Sequence, residues 1–169
     1  MSVGSIELRI RSVRIEGEEP RVLLEDGATG LGLEIPVGPF EASAVILHLE
    51  GIIPPRPLTH DLLAQLFEES GFSLEVVELF GEGGERARLT YSKDDSRREK
   101  EVRPSDALAL ALRLGAPITA DASLLEGRSG RSQLYWRRRA RALDPKRRGD
   151  RPKRAAIAPR GGLGRYRLP

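Results

Sequence analysis

The sequence predicts an α+β fold: a mainly antiparallel or mixed sheet of about six short strands, three main helices and a basic C-terminal extension. Three observations predict it. Near the N-terminus Ile6, Leu8 and Ile10 alternate with Glu7, Arg9 and Arg11, the period-two signature of a half-buried strand. At Gly38-Pro39 the apolar spacing switches to a helical period. Between Pro104 and Gly115 the chain is apolar almost all round, which marks a helix deep in a core.

The elements follow in order. Val3–Ile15 reads as the first strand, broken by Gly17–Pro20. Val22–Leu24 and Leu31–Val37 read as the next two, joined by the Asp26–Gly30 turn, whose chemistry favours antiparallel pairing. Phe40, Ala44 and Leu47 at helical spacing give a helix over Phe40–Glu50 that Gly51 closes. Pro54, Pro55 and Pro57 stiffen the connection that follows. Thr59 reads as the N-cap of a second helix, with Leu58 stapling to Leu63 and a buried face of Leu62, Leu63, Leu66 and Phe67. Strands at Ser73–Phe80 and Arg86–Ser92, a polar turn over Lys93–Arg98 and a short strand near Glu99–Val102 come next. The apolar helix after Pro104 ends at Gly115, with a short extended stretch at Pro117–Thr119 and a closing helical turn at Asp121–Leu125.

Charge divides the 169 residues sharply. Residues 1–126 carry 13 Lys+Arg against 23 Asp+Glu, a net −10; residues 127–169 carry 15 against 2, a net +13. This reads as a folded domain over 1–126 and, over 127–169, an Arg/Gly/Pro-rich arm too poor in apolar residues to fold when free. The absence of cysteine excludes disulfides, thiolate zinc sites and cysteine nucleophiles. No apolar run reaches the roughly 18–20 residues of a membrane span, and the N-terminus lacks a signal-type stretch, so the expected compartment is cytoplasmic. Phosphate-loop, HExxH and Gly-x-Ser-x-Gly motifs are absent.

Three helix starts concentrate ionisable residues. In Pro54–Asp61, His60 has the chemistry of a general acid or base and Asp61 that of a metal ligand or orienter. In Arg103-Pro104-Ser105-Asp106, Asp106 supplies a second carboxylate and Arg103 a guanidinium able to hold a phosphate. Gly38-Pro39-Phe40-Glu41 opens the third, with Glu41 in its first turn. The structural alternative is open at each: an acid in a first turn complements the helix dipole, and Ser105 can simply cap its helix.

Taken together these segments resemble the bifunctional nuclease domain family, long catalogued as a domain of unknown function. The likeness is carried by Ile35–Ala42, Leu49-Glu50-Gly51, Pro55–Leu63, Arg103–Arg113 and Ala116-Pro117-Ile118, in that order, along nearly all of residues 3–126. Glu101-Val102 stands where relatives commonly show Asp-Ala, and Phe80–Gly84 replaces an aspartate-containing turn. The resemblance implies a compact α+β domain and, as in characterised plant relatives, nuclease activity on DNA and RNA. The expected activity is therefore divalent-metal-assisted phosphodiester hydrolysis with Mg²⁺ or Mn²⁺. His60, Asp61, Arg103 and Asp106 are the catalytic candidates, Glu41, Asp61 and Asp106 the metal candidates, and Arg56 a substrate contact. In the arm, Tyr135-Trp136-Arg137-Arg138-Arg139 combines aromatics with guanidiniums; Trp136, Arg137, Arg138 and Arg139 are expected to tether nucleic acid. Other readings of the arm are docking on its own acidic domain, on an anionic membrane surface or on an acidic protein. The competing function is a non-catalytic binding or regulatory module. A homodimer or higher homo-oligomer is the expected assembly.

Overall fold

Seven strands and four helices make up residues 4–15 and 19–126, the part of the chain that the computed structural model describes. Strands β1 (Ser5–Arg14), β2 (Arg21–Asp26) and β3 (Gly32–Pro36) form one antiparallel meander. Strands β4 (Ser73–Phe80), β5 (Arg86–Lys93) and β6 (Ser96–Val102) form a second. β7 (Ile118–Asp121) lies between them, antiparallel to β1 and parallel to β4, giving the order β3-β2-β1-β7-β4-β5-β6. Helices α1 (Pro39–Leu49) and α2 (Thr59–Glu69) lie between β3 and β4, α3 (Pro104–Leu114) connects β6 to β7, and α4 (Ser123–Glu126) follows β7. The expected α+β class is present, with a seventh strand contributed by the Pro117–Thr119 region.

Alternation along the strands places Leu8, Val22, Leu24, Leu33, Ile35, Val77, Leu79, Ala87 and Leu89 in the core. α3 lies against them, burying Ala107, Leu108, Ala109, Leu110 and Ala111. Its alanines leave room for α1 and α2 to pack alongside, so all three long helices meet. The sheet is strongly coiled. Gly84, in the β4–β5 turn with φ +80°, approaches Leu33 and Ile35 of β3 so closely that a Cβ would come within 3.0 Å of the Ile35 side chain.

Three sequence expectations need correction. The turn before β6 is only Asp94-Asp95, because Asp94 takes a left-handed conformation (φ 51°) that closes a tight hairpin; β6 therefore begins at Ser96 rather than near Glu99. Phe40, placed at helical spacing with Ala44 and Leu47, is 88% exposed; Ala42 and Val45 join Ala44 on the buried face of α1 instead. On α2 the inward residues are Ala64 and the half-buried Phe67, which packs edge-on against Tyr91, whereas Leu62, Leu63 and Leu66 are exposed. Small residues face α3 because the helices approach closely there, which turns the bulkier leucines outward.

The β2–β3 turn carries a pH signature. The buried Asp26 carboxylate accepts the Thr29 hydroxyl and the backbone N–H groups of Ala28 and Thr29. The Thr29 side chain contributes most, followed by the Ala28 N–H; together they outweigh burial and hold the carboxyl below its ordinary value. A depressed carboxyl contributes stability that is complete above its unfolded-state pKa, about 3.9, and is lost as pH falls through the lower folded value. Urea unfolding of Asp26→Asn is therefore expected to show a shallower loss of stability on acidification than wild type. Parallel pH profiles would exclude this role.

Candidate active site

The N-termini of α1, α2 and α3 open onto one recess of about 500 Å³, lined by Glu41, His60, Arg103 and Asp106 together with the apolar Phe40, Ala44, Leu47 and Leu58. Each helix begins for a local reason. Pro39 and Pro104 occupy first-turn positions that need no backbone N–H donor, after the extended residues Gly38 and Arg103. α2 has Leu58 as N-cap, one residue earlier than the expected Thr59, because Asp61 reaches back and accepts the Leu58 N–H at 2.8 Å. His60 and Asp61 thereby become the second and third residues of the helix. Ser105 is not the cap of α3; it is buried beyond Pro104.

The ionisable groups form a connected chain. Arg103 grips Asp106 with two bonds, Nε to Oδ2 at 2.9 Å and Nη2 to Oδ1 at 3.3 Å. Its Nη2 also lies 3.7 Å from Glu41. The largest effect on the guanidinium is its hydrogen bond to Asp106, which with the charge of that carboxylate raises its pKa further above the ordinary arginine value. His60 Nε2 stands 3.3 Å from Asp106 Oδ1. A carboxylate can only accept, so in this contact Nε2 carries the proton and Nδ1 is left as the basic nitrogen. Arg103 remains 71% exposed with further N–H donors uncommitted, whereas the His60 side chain is largely enclosed. Glu41 folds over Gly38, where a Cβ would lie 2.3 Å from its carboxylate, so glycine leaves that rotamer free.

Asp61 is next to this group but differently engaged. One oxygen accepts from Leu58, and the other accepts from Nε of Arg113. Arg113, only 6% exposed, also donates to the carbonyls of Ala109 (2.9 Å) and Ala44 (3.3 Å), so one guanidinium ties α1, α2 and α3 together. Burial is the largest single influence on Asp61 and opposes ionisation, but the Leu58 N–H and Arg113 outweigh it and depress its pKa. The pair faces a separate recess of about 290 Å³ beside Leu58. Arg113 was not singled out from the sequence; its signal is a lone cation on a helix otherwise apolar all round.

Of the sequence candidates, the structure thus brings Glu41, His60, Arg103 and Asp106 to one recess, with Asp61 behind them. Arg56 is exposed in the proline-rich connection and does not line the recess. Trp136, Arg137, Arg138 and Arg139 lie outside the described residues, as does the rest of the arm. Glu101, the departure from the family pattern, is on the other side of the sheet edge, held by two bonds of 2.8 Å from Arg86.

The donor set also bears on the expected divalent ion. Among the described residues no three His, Asp or Glu side chains group so as to hold a metal. Asp61 has both oxygens taken. Asp106 is likewise engaged at both oxygens, by Arg103 and His60, so with Glu41 it offers two carboxylates at one recess but no preformed cage.

The model of the bifunctional nuclease domain matches residues 22–132. Two uncharacterised proteins of Mycobacterium tuberculosis, MT1877 from strain CDC 1551 / Oshkosh and Rv1829 from strain ATCC 25618 / H37Rv, are each 37% identical over 123 residues, which cover 70% of this chain and 73% of each relative. No helix among the described residues is long and apolar enough to cross a membrane.

Proposed function

The chain belongs to the bifunctional nuclease domain family, whose role is nuclease-like or nucleic-acid-binding, and from that premise we propose that it hydrolyses phosphodiester bonds in nucleic acid at the recess where the three helices start. One observation carries the reading: His60, Asp106 and Arg103, joined by contacts of 3.3 and 2.9 Å, line the same opening, so an imidazole and a guanidinium with spare donors lie side by side. In the proposed reaction Asp106 orients the imidazole, and Nδ1 of His60 takes a proton from water as its oxygen attacks phosphorus. The bond from phosphorus to the leaving sugar oxygen breaks, and that oxygen is protonated by solvent. Arg103 donates to the non-bridging oxygens as charge builds on them. Glu41 and Asp106 would hold a divalent ion brought by the phosphates, which would supply further charge neutralisation. Residues 127–169, with their net +13, would retain the polyanion that the acidic domain repels, in the cytoplasm.

The test is cleavage of labelled DNA and RNA by the purified full chain with Mg²⁺ or Mn²⁺ against EDTA, alongside His60→Ala. Degradation that persists unchanged in the variant removes the site assignment. The second reading, a non-catalytic binding module, draws on the fact that Asp61 and Asp106 already have both oxygens engaged by protein donors. It predicts binding without cleavage by any version.

Self-association is part of the proposal. Leu62, Leu63 and Leu66 of α2 are exposed, as are Ile52 and Ile53, the latter 90% exposed, on a chain that is 31% charged. A second copy is the occupant we propose for these side chains. Leu62→Asp with Leu66→Asp is expected to halve or further reduce the mass measured by light scattering. A wild type that is already monomeric would refute it.

A further inference from the structure

β6 separates its charges by face. Registry with β5 places Glu99 and Glu101 on the outer side of the sheet, where they meet Arg88 and Arg86, and Arg97 on the same side, paired with Glu75 at 3.0 Å. Arg98 and Lys100 point to the other side, above Tyr91 and Leu89, the strand partners they oppose. Neither makes an ion pair among the described residues. Lys93, opposite Ser96 on that same side, sits over the Phe72 ring at 5.4 Å and is likewise without a carboxylate partner. On a domain with ten more acids than bases, three cations on one face of one hairpin with no ion pair among the described residues are a local exception.

Their position gives the exception a direction. β6 is the last strand of the sheet, paired on one side only, and it runs straight into Arg103 at the recess. At about 3.3 Å per residue, Lys100 stands roughly 10 Å and Arg98 roughly 17 Å from Arg103 along the strand. Side chains two residues apart repeat every ~6.6 Å, the order of separation between successive phosphates of an extended single strand. Asp94-Asp95 in the β5–β6 turn ends the basic stripe with two like-charged carboxylates.

We propose that the Arg98–Lys100 face of β6, continued by Lys93, is the track along which the sugar-phosphate backbone of a single-stranded nucleic acid leaves the recess. The inference rests on the nucleic-acid reading above and adds where, and in what form, the polymer lies. A duplex is the poorer fit, because the stripe is one strand wide.

The experiment is a salt titration of binding by the full chain in EDTA, so that nothing is cleaved, using short fluorescein-labelled oligodeoxythymidine and oligouridine, with a labelled DNA duplex of the same length as the comparison probe. The logarithm of affinity falls linearly with that of salt, with a slope near −0.7 per phosphate neutralised on a single strand. Arg98→Gln with Lys100→Gln is expected to make the slope shallower by about 1.4 for both oligonucleotides. Arg9→Gln with Arg97→Gln, the same charge change on the opposite face, is expected to match wild type. Contacts made elsewhere in the chain are common to all versions and subtract out. If the two double variants have the same slope, the track is wrong while the nucleic-acid reading stands. A difference seen with duplex and not with single strands overturns the single-strand assignment. A wild type that binds none of these probes at low salt overturns both the track and the reading on which it rests.

Discussion

Alanine at position 60 is expected to slow phosphodiester cleavage by about 10²–10⁴-fold while leaving the unfolding midpoint close to that of wild type. The asymmetry between the two readouts is what identifies a chemical role. His60 is held by a 3.3 Å contact to Asp106 and lines the recess, so its loss removes a proton acceptor and enlarges a cavity that already opens to solvent. Asp106→Asn probes the same chain from its other end. An amide in that position loses the charge that engages Arg103 and can present its NH₂ group to the ring, which reverses the preferred tautomer and occupies the nitrogen that should accept a proton from water. The rate should fall by a comparable factor, and the His60→Ala/Asp106→Asn double variant should be little worse than either alone, because both act through one unit. Full additivity of the two losses would mean that the residues work separately. Unchanged rates in both would place the chemistry elsewhere.

The sequence made some of this legible and hid the rest for identifiable reasons. α3 could be read almost to the residue, since Pro104 at its start and Gly115 at its end, with φ 64°, are local signals that no tertiary contact overrides. The same holds for the helix starts that carry Glu41, His60 and Asp106, and their convergence follows from two connections, β3 to α1 and β6 to α3, that the sheet brings together. The inward face of α2 was not legible. Four large apolar residues at helical spacing announce that an apolar stripe exists, but not whether it lies on this chain's core; here Ala64 and Phe67 do, and three leucines do not. Nor could spacing distinguish Asp61 from Asp106. Both are acids in a first turn, and only the folded structure shows that one is captured by an arginine 52 positions later while the other faces an opening.

That capture gives the largest expected effect on stability. Asp61→Ala should destabilise the fold by about 3–5 kcal/mol, because Arg113 would remain almost wholly enclosed with two carbonyl partners and no counter-charge. Arg113→Met with Asp61→Leu, which removes both charges and keeps the volume, should recover most of that loss, since an ion pair of this kind offsets its own desolvation with little surplus. The pair also fixes a pH dependence. The Asp61 pKa is depressed, so its contribution is complete above the unfolded-state value and disappears as pH falls through the folded one; the charge-free double variant should lack that component of acid sensitivity. Urea titrations at neutral pH and again in the carboxylate range measure both effects in one series. A structural Asp61 requires that stability and activity fall together in Asp61→Ala and return together in the double variant. An Asp61→Asn protein that unfolds like wild type yet cleaves nothing would instead move Asp61 from the scaffold to the reacting groups, and the division drawn here between the two recesses would fail.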